Sequence, residues 1–591
     1  MPLFAAGAGL ADGARSRLQK SWAEWFRREV MPELLAVEER FSGLYTDQGR
    51  PNWSVARLLA VCLLQHVDDL SDQQALDALS FDVRWQHALD LKAEQAYLSR
   101  RSLVEFRRRL VKRDPDGALM REVFDRICKL GLDRLKVSTS HQRLDSTAVC
   151  SNIRGRGRLS LARETLRVFV RSLELCQRAL LPATVRAWYD ADDAGWEQPE
   201  TSGDAAGRLA EIGAWISDVL EVFKDDEDVR DREPYQLLRR LLEEHADAFG
   251  IELSGADDED DPPAGGVLDT PKRRKQSRKR RGKKRKSRKK ASSGKARFWS
   301  PHDPDASFGH KGLGYHVHIT ETCRNDTTEL LTDYDVVTAA QPDVGWTRPV
   351  IERLQDGNLA PETLYADGGY PTPADLVWAS EQQVELCAPV HRGPMAKDAY
   401  SRADFEINDD GEVERCPAGH APSRHGSRES SDSHSPRRSL HAFFDAETCR
   451  ACPQRARCPA RVPNHAGARE FRLDLAPELV ARDRRFAEQD TEPWRERYRI
   501  RAGVEATMSE LKRGHGLGRL RVRRLVRVRL QVAFKAIACN LKRWQRASAP
   551  VRALPVLVSA VLTALGAVTR PATAPGGSPP QLSPQPLSNA A

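Results

Sequence analysis

Apolar residues recur at helical spacing through the first quarter of the chain. The stretch ARLLAVCLLQHVDDLSDQQALDALSFDVRWQHAL, 56–89, follows this period, with a break at Leu70-Ser71 and Ser71 placed to cap the helix that follows. The next segment, SRRSLVEFRRRLVKRD, is amphipathic and basic. Pro115 and Gly117 interrupt it, and a further helix is expected to about Leu130. Residues 15–135 therefore read as a helical N-terminal domain. Its basic helix fits a helix-turn-helix-like module for DNA ends, and equally a scaffold that packs on its neighbour. From Lys136 the pattern shifts to β-branched residues. LKVSTSHQRLDSTAV predicts a strand with Asp145 at or near its end. Residues 151–255 return to amphipathic helices and form a helical insertion. LGYHVHIT and TELLTDYDVVTA, separated by a turn at Arg324-Asn325-Asp326, predict an antiparallel hairpin. A helix in VGWTRPVIERLQDG, a strand ending at Asp367 before Gly368-Gly369, a helix in PADLVWASEQQ and a strand in VELCAPV follow. Residues 391–493 read as irregular. From Tyr498 the chain reads as helical to about Arg546, and Ala553 to Val568 as a short packed helix.

Three carboxylates stand out by their place in this order. Asp145 follows the first strand, Asp367 a later one, and Glu505 lies on the helix after the last. The order of strand, hairpin, helix, strand, helix, strand and helix is that of an RNase H-like sheet, in which strands one and four are neighbours. The fold class expected is therefore α/β: a mixed RNase H-like catalytic sheet from 136–150, 300–390 and 494–546, an α-helical N-terminal domain, and large insertions. On a helix at about 100° per residue, Tyr498, Arg501, Glu505 and Lys512 fall within roughly 60° of one another. A phenol, a guanidinium, a carboxylate and an ammonium then share one stripe. The bland alternative is a surface helix with ordinary charge pairs. Clustered carboxylates are costly unless a cation fills the cluster, and hard oxygen ligands select Mg²⁺ or Mn²⁺. Two such ions would suit phosphodiester transfer.

Charge changes the picture further. The 591 residues carry 93 Lys and Arg against 84 Asp and Glu, a net +9, and the bases concentrate after 270 and after 495. That segregation favours a polyanionic partner such as nucleic acid. Residues 256–299 read as a disordered linker, acidic and then basic. KRRKQSRKRRGKKRKSRKK has 15 Lys or Arg in 19 residues and suits an electrostatic grip on phosphate. The tail 570–591 is Pro/Ser-rich and reads as disordered. The longest apolar run is shorter than a membrane span, and no secretory signal pattern begins the chain. Eleven cysteines, several of them single in apolar patterns, suit a reducing cytoplasm. Cys416, Cys449, Cys452 and Cys458 are spaced as candidates for a structural Zn²⁺, with His420 or His441 as substitutes; free thiols in a loop are the alternative. Asp303, Asp305 and Trp299 precede the hairpin, and turn and anchoring roles suit them best.

Tyr498, Arg501, Glu505 and Lys512 match at every position the Tyr-x2-Arg-x3-Glu-x6-Lys signature of a group of bacterial insertion-sequence DDE transposases. LDSTAV around Asp145 and YADGGY around Asp367 resemble the family's first two acidic motifs. LYTDQGRPNWSVARLLAVCLLQ and LSDQQALDALSFDVRWQHAL resemble the domain that precedes the catalytic one in some of these elements. The resemblance spans about 40–545. It implies cleavage of double-stranded DNA at element ends and joining of the 3′ hydroxyl to a target. Asp145, Asp367 and Glu505 would hold Mg²⁺ or Mn²⁺. Tyr498, Arg501 and Lys512 would contact phosphates, with Arg513, Arg519 and Arg521 extending the DNA-binding face. It also implies a homodimer or larger assembly on DNA and a cytoplasmic, nucleoid-associated protein. A derivative that binds DNA without chemistry, and a nuclease of the same fold that does not join strands, remain alternatives. The long gap before the hairpin and the cysteine-bearing segment 391–493 depart from the expected pattern.

Overall fold

The computed structural model describes residues 10–45, 53–153, 157–191, 205–250, 297–393, 398–408, 410–429, 438–461 and 469–548. The expected linker, the packed helix at 553–568 and the disordered tail lie outside these, apart from 297–299.

The N-terminal domain is helical, as its apolar period requires. Ser71 caps the helix Asp72–Phe81 in a reciprocal capping box with Gln74. Asp114 accepts from Leu119 N at 3.0 Å and Met120 N at 3.1 Å, placing a carboxylate at the start of Ala118–Leu135. That helix runs to Leu135, further than its apolar spacing suggested.

The sheet combines both strand directions. β1 (His141–Val149) pairs antiparallel with β3 (Gly312–Thr322), which pairs with β4 (Leu331–Thr338). A short β2 (Ser307–Gly309) also pairs with β3. On its other side β1 pairs in parallel with β5 (Thr363–Ala366), which pairs with β6 (Glu385–Cys387). The predicted neighbours, the first strand and the strand before Asp367, are adjacent. β1 is buried on both faces, which explains its nearly unbroken run of inward positions. The helices Thr347–Asp356 and Pro373–Glu381 share a core with Leu144, Leu364 and Leu386. A larger core joins the N-terminal helices to Val317, Ile319 and Tyr334 of the sheet and to the last helix, Leu525–Ser548. In that helix Asn540 hydrogen-bonds both N and O of Leu331, satisfying the β4 backbone, while Trp544 meets Trp25 edge-on at 5.0 Å.

Three expectations are corrected. Asp145 lies in the middle of β1, because the antiparallel pairing with β3 continues past it to Val149. Residues 498–546 are not one helical run. Glu492–Tyr498 is α-helical, Arg499–Gly503 is a 3-10 turn, and the helix bearing Glu505 spans Val504–Gly514. The chain at 515–524 is then extended beside the end of β1, where Cys150 N donates to Gly518 O and Leu520 N to Cys150 O. Finally, 391–493 is not irregular. It holds a two-stranded sheet, β7 (Glu406–Ile407) and β8 (Val413–Arg415), and a three-stranded one, β9 (Arg424–Glu429), β10 (Arg438–Asp445) and β11 (Glu470–Leu475), about its own core. The helical insertion likewise has its own core, centred on Phe169, Phe223 and Leu238. Among the described residues no helix is long and apolar enough to cross a membrane.

Candidate active site

The parallel ladder between β1 and β5 ends at Leu144 opposite Ala366. The next residues are Asp145 and Asp367, so the two aspartates leave the ladder side by side. β1 continues while β5 stops, which opens a notch at the point where the strand direction changes across the sheet. Asp367 Oδ1 accepts from Gly368 N at 2.6 Å, tying the carboxylate to the turn that ends β5. Asp145 Oδ1 accepts from Ser146 N at 2.7 Å.

The third carboxylate arrives through a buried network. Glu321 on β3 is fully buried and takes Arg143 Nε at 2.7 Å, Arg543 Nη1 at 2.9 Å and the Thr507 hydroxyl at 2.6 Å. Thr507 sits two residues after Glu505, so this network fixes the Glu505 helix against β1 and β3. The helix buries Val504, Met508 and Leu511 and leaves Glu505 exposed. Arg143 Nη1 also donates to Ile500 O at 3.0 Å. A Cβ on Gly503 would lie 1.9 Å from that Nη1, so glycine is what admits the guanidinium here.

Arg501 stands among the three acids. Its Nη2 is 2.8 Å from Asp145 Oδ2 and 3.6 Å from Asp367 Oδ2, and its Nη1 is 4.0 Å from Glu505 Oε1. The Arg501 and Asp145 side chains are 17% and 13% exposed, whereas Asp367 and Glu505 are 56% and 73% exposed. One acid is thus held at the floor of the notch and two at its mouth. Burial pushes the Asp145 carboxyl above its usual range, with Arg501 pulling the other way. Tyr498 stacks on Trp494 at 4.7 Å and donates its hydroxyl to Ala366 O at 3.0 Å. Burial pushes that phenol up, so it remains a neutral donor. Lys512 and Arg513 on the same helix, and Arg519 and Arg521 in the extended segment, are exposed. Arg519 and Arg521 line a cleft of about 440 Å³ with Arg100, Arg107 and Lys535.

The sequence reading missed a second group beside Asp145. Ser146 Oγ donates to Asp343 Oδ1 at 2.7 Å. Lys311 Nζ reaches Ser146 O and Asp343 Oδ2, both at 3.1 Å, and also hydrogen-bonds Ser146 Oγ. Burial raises the Asp343 carboxyl, but the Ser146 hydrogen bond and the Lys311 charge outweigh it and hold it low. An ammonium is thereby pinned next to the catalytic candidate. Lys311 and Asp343 belong to different loops, and no local pattern joins them; only the two glycines flanking the tight turn at 309–312 mark that loop as special. Asp303 and Asp305 have the structural roles expected. Asp303 takes Tyr315 OH at 2.5 Å and Arg524 N at 2.8 Å, and Asp305 takes Leu525 N at 2.9 Å. Trp299 packs on Phe308.

Among the described residues, Glu510, His515 and Cys539 bring ligand atoms within 4.8 Å of one another. Arg543 already engages Glu510 at 2.8 Å, and Lys535 donates to His515 O, so the local charge opposes a further cation. The Asp145, Asp367 and Glu505 set offers three carboxylates and no soft ligand, which fits Mg²⁺ or Mn²⁺.

Two family models match the chain. Residues 415–545 match a transposase DDE domain, and residues 24–109 match a transposase domain (DUF772). The first match contains Glu505 and the four cysteines Cys416, Cys449, Cys452 and Cys458. No curated protein and no solved structure matches the chain.

Proposed function

We propose that this chain, in which residues 24–109 and 415–545 match transposase domains, is a DDE transposase of an insertion sequence that cleaves DNA at the element's ends and joins the freed 3′ hydroxyl to target DNA on an RNase H-like sheet. The observation that carries this reading is the convergence of Asp145, Asp367 and Glu505 on one guanidinium, from a mid-sheet strand, a strand end and a helix separated by more than a hundred residues. Arg501 provides a counter-charge to these carboxylates. Asp145, Asp367 and Glu505 would hold divalent cations there, which would supply an activated oxygen nucleophile and stabilisation of the leaving oxygen.

The chain's own groups do the rest. Arg501, which contacts all three carboxylates, carries a planar guanidinium that would suit a phosphate at the same notch. Tyr498 offers a neutral hydroxyl at the same rim. Lys311 holds its ammonium against Ser146, the residue after Asp145, oriented by Asp343. Lys512, Arg513, Arg519 and Arg521 lie exposed past Glu505 and suit the phosphates of a duplex running away from the notch. Such a reaction needs two DNA ends, and hence a dimer at least.

The test uses the full chain with Mg²⁺ and DNA carrying the element's own ends. Asp145→Asn and Asp367→Asn should abolish strand cleavage and retain end binding. Cleavage by either variant at the wild-type rate would remove that residue from the metal site. Wild-type binding without cleavage would leave a DNA-binding derivative as the function.

A further inference from the structure

We propose that Cys416, Cys449, Cys452 and Cys458 form a structural zinc site that closes the small β module inserted before the Glu505 helix. The four residues come from three separate pieces of chain. Cys416 ends the β7–β8 hairpin. Cys449 and Cys452 lie on and just after the short helix Ala446–Ala451, and Cys458 follows a 3-10 turn at Arg455–Arg457. All four line one pocket of about 30 Å³ together with Phe405 and Phe444. That volume admits a single ion and little else.

The backbone holds the thiols toward this pocket by tight turns. Gly419 N donates to Cys416 O at 2.8 Å and Cys416 N to His420 O at 2.9 Å, in a loop that Gly419 turns with a φ of +83°. Arg455 N donates to Cys452 O at 3.1 Å, and Cys458 N to Arg455 O at 3.2 Å. Asp445 caps the helix bearing Cys449 through Thr448 N at 2.7 Å. Two turns and a capped helix thus bring the four cysteines around one pocket. The sulfurs do not form a mutual 4.8 Å set, whereas a tetrahedral site with Zn–S of about 2.3 Å has sulfurs about 3.8 Å apart, so zinc binding would draw them closer.

Chemistry and stability point the same way. None of the four is in a disulfide. Arg455 lines the same pocket and donates its Nη1 to Cys458 O at 3.2 Å, placed to offset the negative charge of a four-thiolate site. The module also needs a cross-link. Among the described residues its core holds nine buried side chains, three of them alanines, and Cys416, Cys449 and Cys458 pack at its edge. Cores of that size are stabilised by metals or disulfides. His441 is not a needed ligand, since it faces Asp474 at 3.0 Å across the strands.

The test is metal analysis of the full chain, expressed with zinc available and purified under reducing, chelator-free conditions. The expected result is a single zinc per chain that survives dialysis and is released by a mercurial thiol reagent. Co²⁺ in its place should give intense thiolate-to-cobalt charge-transfer bands and a tetrahedral d–d spectrum. Cys449→Ser with Cys452→Ser should lose the metal, and Cys176→Ser, altering an exposed thiol outside the module, should keep it. A folded chain without zinc that also gives no cobalt charge-transfer bands would overturn the proposal, as would full zinc retention in the Cys449/Cys452 double variant. The wild-type cobalt spectrum decides the matter even if the double variant fails to fold, and it is independent of any DNA chemistry.

Discussion

Arg501 has two roles that a substitution separates. In the metal-free chain it neutralises Asp145 directly and Asp367 and Glu505 at longer range. Arg501→Ala should therefore destabilise the metal-free protein by about 1–3 kcal/mol, the range for a hydrogen bond to a charged group. Mg²⁺ should then raise its melting temperature more than it does for the wild type, because no guanidinium competes for the carboxylates. Thermal denaturation with and without Mg²⁺ checks this, and an equal shift in both proteins would show that Arg501 does not occupy the metal's place. Lys311→Ala should slow cleavage at least about tenfold, the effect of losing about 1.4 kcal/mol of transition-state stabilisation, while leaving end binding in place. A kinetic comparison against wild type reads it. Arg501 was legible in the sequence because four unlike polar residues recur at helical spacing. Lys311, Ser146 and Asp343 were not, since their contact exists only after three loops and strands are assembled.

Among the elements, the Glu505 helix depends on a charge network that its own sequence does not announce. Glu321 has no exposure and holds Arg143, Arg543 and Thr507. Glu321→Ala leaves the nearly buried Arg143 without its carboxylate and Arg543 with Glu510 alone, and should cost about 3–5 kcal/mol. Gly503→Ala drives a methyl into Arg143 and should cost about 1–3 kcal/mol while lowering activity, because it shifts the turn that carries Arg501. Urea unfolding midpoints measure both, and wild-type stability in Glu321→Ala would refute the network's role. The order of strands and helices was readable from hydrophobic period alone, and the two aspartates came out as neighbours as that order requires. Two local errors have one cause. A strand was ended where its polar residues begin, though pairing with β3 carries β1 past Asp145. A helix was continued through Gly503, though Arg143 demands a tighter turn there. In both cases a partner distant in sequence sets the local structure.

At the scale of the whole molecule, the N-terminal helices, the sheet and the last helix share one core, and buried histidines lie along it. His66 stacks on Phe534 of the last helix at 5.0 Å. Burial holds His66, His316, His318 and His515 each down to about 4. A histidine whose folded pKa lies below its unfolded value of about 6.5 gives stability that is complete above that value and lost as pH falls toward 4. The chain should therefore lose stability progressively between about pH 6.5 and 4, and His66→Phe should reduce the slope. Chemical denaturation across that range measures it, and a pH-independent midpoint would contradict the burial of neutral imidazoles. The helical insertion was legible in its apolar period, whereas the cysteine module was legible only as composition. The cysteine module reads as irregular because its strands are short and its core small, yet it folds into two sheets before the Glu505 helix begins. The central claim is that Asp145, Asp367 and Glu505 with Arg501 form one strand-transfer site. The measurement that tests it most directly is incubation of the purified chain with Mg²⁺, a labelled element end bearing a free 3′ hydroxyl, and supercoiled plasmid. The account predicts labelled end joined to plasmid, present with wild type and absent with Glu505→Gln. No joined product from a wild-type chain that binds the end, or undiminished joining by Glu505→Gln, would contradict it.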